Sequence, residues 1–163
     1  MKDRSGVPGT RKFQRLIHLG SYSAILAIAL GGPPTLIKAS AGDVEARTLQ
    51  TFRNCAVGSR KACVVDGDTI WMNGQKVRIA DIDTPEINEP KCASELALGT
   101  RATERLLELI NSGPFEVHAW PQRDEDRYGR KLRVLVRNGR SLGNILVSEG
   151  LARTWTGRRE PWC

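Results

Sequence analysis

Over residues 62–82 the chain passes through three short segments rich in β-branched residues, separated by two tight turns, and this stretch limits the fold more than any other. Asn73-Gly74 is a two-residue hairpin signal, because both positions tolerate positive φ. Strands are therefore expected over 62–65, 69–72 and 75–82. The third should stop at Asp83-Thr84-Pro85, where proline has no N–H for a sheet and biases Thr84 towards extended backbone. Downstream, Leu98, Ala102, Leu106, Leu109 and Ile110 recur at three- and four-residue spacing, predicting a helix with Ser94 as N-cap and Gly113-Pro114 as its stop. Phe115, Val117 and Ala119 alternate with polar neighbours as a fourth strand, and Leu132, Val134 and Val136 mark a fifth. Leu142, Ile145 and Leu146 then predict a short helix that ends near Gly150. The order βββαββα suits a five-stranded OB-type β-barrel with helices, an α+β fold, because closure removes the edges that short strands expose. Such a fold assigns no function by itself.

Residues 1–41 follow another pattern. A basic stretch ending at Arg15, an apolar run densest over 24–30, the breakers Gly31-Gly32-Pro33-Pro34 and then Ala39-Ser40-Ala41 give the three parts of an export signal, with cleavage expected after Ala41. His18, Gly20, Ser21 and Ser23 interrupt the run, leaving it too short for a membrane anchor. The expected product is periplasmic or extracellular, with a polar lead-in over 42–54 and one folded unit over 55–163. Most of the formal charge of +7 leaves with the signal, since Lys2, Arg4, Arg11, Lys12, Arg15 and Lys38 face only Asp3 there. The basic character that remains is concentrated beyond residue 122, in Arg123, Arg127, Arg130 and the cations that follow, and favours an anionic partner.

Cys55, Cys63, Cys92 and Cys163 all follow the signal, and an even number of cysteines in an oxidising compartment suggests disulfides. Three pairings are possible. The short separation of Cys55 and Cys63 favours joining them, which leaves Cys92 for Cys163. No CxxC or His pair accompanies them, which argues against zinc.

Three polar clusters interrupt the apolar pattern: Asp66-Gly67-Asp68-Thr69, RIADIDTPE over 78–86, and DRYGR over 126–130. Their carboxylates are hard oxygen donors suited to Ca²⁺ or Mg²⁺, with Asp68 and Asp83 the leading candidates. Asp66-Gly67-Asp68 also reads simply as a tight turn, and Arg78 as a strand arginine paired with Asp81 or Glu86.

With SEGLA over 148–152, these clusters stand in an order and at a spacing that resemble the staphylococcal-nuclease-like, or thermonuclease, family. The resemblance spans about residues 64–152. It implies Ca²⁺ held by the carboxylates of Asp68 and Asp83 and the backbone carbonyl of Thr84. It further implies Arg78, Glu86 and Arg130 as catalytic residues, and Arg127 and Tyr128 as contacts to a terminal phosphate. The implied activity is Ca²⁺-dependent, sugar-nonspecific hydrolysis of DNA and RNA to 3′-phosphates, by a monomer that prefers single strands. Phosphodiester chemistry asks for the same residue types on its own terms. Two guanidiniums match the charge that builds on phosphate oxygens, with forked hydrogen bonds that lysine cannot form, and Glu86 can take a proton from the attacking water. The rival reading is a noncatalytic barrel that binds nucleic acid or a partner protein, but such a module has no use for Glu86, which repels phosphate. In the family's best-known member a third helix, whose tyrosines stack on the substrate, follows the segment matching SEGLA. Here 153–163 follows, with Trp155 close to those positions, and packing against the barrel is favoured over base stacking for Trp155 and Trp162.

Overall fold

A computed structural model describes residues 44–48 (backbone only), 50–56, 58–121 and 123–163; the segment read as an export signal, 1–41, lies outside the described residues. The first half runs β1 (Val44–Thr48), β2 (Arg53–Asn54), β3 (Ala62–Asp66), β4 (Thr69–Met72), β5 (Gln75–Ile79) and β6 (Ile82–Asp83). Then come α1 (Ala93–Asn111), β7 (Phe115–Ala119), β8 (Lys131–Arg137), β9 (Arg140–Ser141), α2 (Leu142–Ser148) and β10 (Arg153–Thr154). The expected meander forms from β3, β4 and β5, with Ile70 opposite both Val64 and Val77. Asn73 and Gly74 turn with φ of 53° and 78°, the positive pair that matches the twist of a two-residue hairpin.

The sheet order is β1-β7-β8-β5-β4-β3-β2, antiparallel except where β5 meets β8 and β2 meets β3. The parallel β5–β8 contact follows from α1 lying between the two halves of the sheet in sequence, since a parallel pair needs a long crossover. This is the OB-fold-like α+β architecture expected from the element order. Val64, Ile70, Val77, Phe115 and Leu135 pack beneath Ala102, Leu106 and Ile110 of α1 and Leu142 and Leu146 of α2. Burial of each such large side chain stabilises the fold by roughly 1.5–3 kcal/mol.

The polar lead-in supplies two strands, and two expectations are corrected. Within the lead-in, β1 covers the free edge of β7, and β2 pairs with β3. Neither segment has an apolar run, because an edge strand needs backbone partners more than buried side chains. They lie at the two ends of the strand path, where their pairing shields the edges of β7 and β3. The strand expected over 75–82 breaks into β5 and β6, because Ala80 N–H donates to Arg133 O at 2.9 Å while Asp81 O accepts from Trp155 N at 2.9 Å. The N-cap of α1 is Cys92 rather than Ser94. Glu95, at the third helical position, reaches back to Lys91 N at 2.6 Å, a variant of the reciprocal cap in which a carboxylate satisfies an amide ahead of the helix.

Disulfides join Cys55 to Cys63 and Cys92 to Cys163. The second bridge returns the tail to the start of α1, and β10 pairs with β6 at Arg153–Asp83 and Thr154–Ile82. Among the described residues, no helix is long and apolar enough to cross a membrane.

Candidate catalytic cleft

The β3–β4 turn comes very close to the helix behind it. A Cβ on Gly67 would lie 2.8 Å from Ala102 Cβ and 2.9 Å from Thr84 Cγ2, so only glycine lets this turn sit against α1 and the segment after β6. That contact brings Asp68 and Asp83 together as buried carboxylates. Asp68 accepts from Thr69 Oγ1 at 3.0 Å and from Thr84 N at 3.3 Å. Arg78, on β5 and 6% exposed, is ion-paired with Asp68 through Nη1, while its Nη2 donates to Ile82 O at 3.2 Å and lies 3.7 Å from Asp83 Oδ1. The Trp155 ring covers its guanidinium, with the centroid 5.2 Å away.

Burial works against the charge on Arg78, but Asp68, Asp83 and Asp66 outweigh it and hold its pKa above the ordinary value. Burial likewise raises the pKa of Asp83, opposed by Arg159 and reinforced by Asp68. Asp66, in the same turn, is pushed up to about 6 by burial and then by the Asp68 carboxylate.

Asp83 Oδ1 is buried and accepts no hydrogen bond among the described residues. With the Asp68 carboxylate it offers buried oxygen donors of the hard kind that a divalent cation takes. Among the described residues, no group of three or more His, Cys, Asp or Glu side chains is arranged to hold a metal.

The DRYGR loop forms the facing wall. Asp126 accepts from Tyr128 N at 2.9 Å, Arg130 N at 3.0 Å and Arg130 Nε at 2.6 Å, so one carboxylate fixes both the loop and its arginine. Its burial is outweighed by these donors, which hold its pKa below the usual carboxylate value. Arg130 Nη1 donates across to Thr69 Oγ1 at 3.5 Å, linking this wall to Asp68. Tyr128 is exposed, with Arg127 and Arg130 over its ring at 4.8 and 5.4 Å.

Glu86 follows the buried Pro85. A Cβ on Gly99 would lie 2.6 Å from Pro85 O, so α1 has a notch into which this loop fits. Glu95 accepts from Glu86 N at 3.4 Å. The resulting cleft has a volume of about 830 Å³ and is lined by Arg78, Glu86, Arg127, Tyr128, Arg130 and Arg159, with Trp120 and Trp155 at its sides. Every catalytic and phosphate-contacting residue expected from the resemblance lines it. Asp68, Asp83 and Thr84 lie buried directly behind Arg78.

The family profile described as "Staphylococcal nuclease homologue" matches residues 76–161, more than half of the chain. The chain belongs to the staphylococcal nuclease family. Among curated members, it is 39% identical over 93 residues to "Endonuclease YncB" of Bacillus subtilis (strain 168), covering 55% of this chain and 44% of that protein. It is also 39% identical over 93 residues to the "SPbeta prophage-derived endonuclease YokF" of the same organism, covering 55% of this chain and 31% of that one. The chain thus matches less than half the length of either relative. In this member of the family the SEGLA segment belongs to the scaffold: Arg105 of α1 donates two hydrogen bonds to Glu149, each 2.8 Å long.

Three contributors to the cleft are not read from the sequence. Asp126 is hidden because it stands inside a motif noted for its arginines. Glu95 shows only as the acidic residue of a helix start. Arg159 belongs to a group of basic residues expected to extend a positive surface; the one sign that it returns to the site is the bridge-forming Cys163 four residues later.

Proposed function

We propose that the chain is an exported, Ca²⁺-dependent nuclease that hydrolyses phosphodiester bonds of DNA and RNA and leaves 3′-phosphates. The supporting observation is convergence: Arg78, Glu86 and Arg130, distant in sequence and on three different segments, line one cleft beside two buried carboxylates. The two disulfides suit an oxidising compartment outside the cytoplasm.

Arg78 cannot wander, because Asp68, Ile82 O and the Trp155 face fix its guanidinium. Arg130 is fixed in turn by Asp126. In the reaction both arginines bind phosphate oxygens and need no reorganisation as charge builds on them. Glu86 accepts a proton from the attacking water as its oxygen bonds to phosphorus. The bond from phosphorus to the 5′-oxygen breaks, the leaving oxygen takes a proton from solvent, and the phosphate stays on the 3′ side. A cation held by Asp68, Asp83 and the Thr84 carbonyl would neutralise phosphate charge.

The test is hydrolysis of single-stranded DNA and of RNA in Ca²⁺, Mg²⁺ or chelator, with labelled ends to show which product carries the phosphate. Cleavage in Ca²⁺ that stops in chelator is expected, and Glu86→Gln should slow it by about 10² to 10⁴ while an oligonucleotide still binds. Full activity in chelator would overturn the cation requirement. Binding without cleavage under any cation would leave a noncatalytic module.

A further inference from the structure

The tail after α2 does more than end the chain. Through β10 it pairs with β6, through Trp155 it covers Arg78, and through Cys163 it is bonded to Cys92. Between these anchors Arg153 holds a turn in place, donating to Pro161 O at 3.0 Å, with its guanidinium over the Trp162 ring at 3.7 Å. Arg159 emerges from that turn into the cleft, where its Nη1 is ion-paired with Glu86 and its Nε lies 3.5 Å from Asp83 Oδ1. Its neighbour Arg158 points elsewhere, 80% exposed and paired only with Glu160 among the described contacts.

We propose that Arg159 is a third phosphate-binding residue of this cleft, set opposite the DRYGR wall, and that the Cys92–Cys163 bridge holds it there. The proposal rests on the nuclease reading and adds to it a substrate contact supplied by the tail. Its side chain is about half exposed and its ion pair with Glu86 is solvent-accessible, so it can turn from Glu86 to an entering phosphate. A guanidinium binds phosphate through parallel N–H donors, and the move leaves Glu86 free to take its proton. Trp155, Gly157 and Arg159 together give the backbone of a single strand a wall that is both aromatic and cationic. Because Arg159 stands four residues before the bridged Cys163, affinity for nucleic acid becomes dependent on the state of that bridge.

The test is equilibrium binding of a fluorescent single-stranded oligonucleotide in chelator, over a range of salt, to wild type, Arg159→Ala, Arg158→Ala and the double variant Cys92→Ser/Cys163→Ser. Arg159→Ala should weaken binding roughly tenfold and reduce the slope of log affinity against log salt by about 0.7, the value for one lost contact to a single strand. Arg158→Ala should change neither much. The double cysteine variant should match Arg159→Ala, and adding Arg159→Ala to it should cost little more. Equal losses from Arg158→Ala and Arg159→Ala would mean diffuse charge and overturn the proposal, as would unchanged or tighter binding by Arg159→Ala. Wild type that neither binds nor cleaves nucleic acid would overturn the nuclease reading first, which separates the two failures.

Discussion

The two walls of the cleft are made by opposite means. The wall carrying Arg78 on β5, backed by Asp68 of the β3–β4 turn and Asp83 of β6, is built from the folded scaffold, and its charges are almost wholly buried. The wall carrying Arg127, Tyr128 and Arg130 is a surface loop, shaped by hydrogen bonds to Asp126. A buried charge that loses its partner costs far more than an exposed one. Stability and chemistry should therefore be inseparable on the first wall and separable on the second.

The largest expected effect comes from breaking the buried pair. Asp68→Ala takes the nearest counter-charge from the buried Arg78, leaving Asp83 at 3.7 Å as its remaining ion-pair partner, at a cost of about 3 kcal/mol, and removes an acceptor for Thr84 N and Thr69 Oγ1. Cleavage should vanish along with that stability. Tyr128→Ala on the loop should alter unfolding free energy by no more than about 0.5 kcal/mol. Denaturant unfolding of both variants decides the matter, and equal losses would erase the distinction between the walls.

The two disulfides extend the comparison. The Cys92–Cys163 bridge closes 71 residues and the Cys55–Cys63 bridge eight. On chain-entropy grounds, removing the first should cost about 4 kcal/mol and the second about 2 to 3 kcal/mol. Only the first ties down a segment that lines the cleft, so Cys92→Ser/Cys163→Ser should lower both Tm and substrate affinity, whereas Cys55→Ser/Cys63→Ser should lower Tm alone. A loss of affinity in the second variant would show that the cleft depends on the whole fold and not on the tail's anchor.

What could be read in the sequence follows the same division. The hairpin at Asn73-Gly74, helix α1 and strands β7 and β8 announce themselves, because turn chemistry and apolar periodicity are local. Asp68, Arg78 and Asp83 also stand out, as charges breaking an apolar pattern. Strand β1 does not, because the alternation in VEART rests on only Val44 and Ala46, and the strand forms by adding to the edge of β7, far along the chain. Arg159 is hidden for the same reason. Its place opposite Arg130 depends on a ring closed through Cys163, and no property of the GRREPWC segment encodes the distance to Glu86.

The smallest effect is the sharpest check on the loop wall. Asp126→Asn keeps an acceptor for Tyr128 N and Arg130 N but removes the charge that fixes Arg130 Nε. Stability should fall by about 1 kcal/mol, while kcat falls more than KM rises, because Arg130 loses its orientation rather than its access to phosphate. The pH dependence has a definite sign. Since Asp126 titrates below its ordinary value of 3.8 in the folded protein, its contribution is present above that value and is lost as pH falls through the lower folded one. Wild type should therefore exceed Asp126→Asn in Tm by a constant margin from pH 5 to 8, and the margin should shrink below about pH 4. A margin that persists in acid would assign the effect to shape rather than charge, and the loop would then resemble the buried wall it faces.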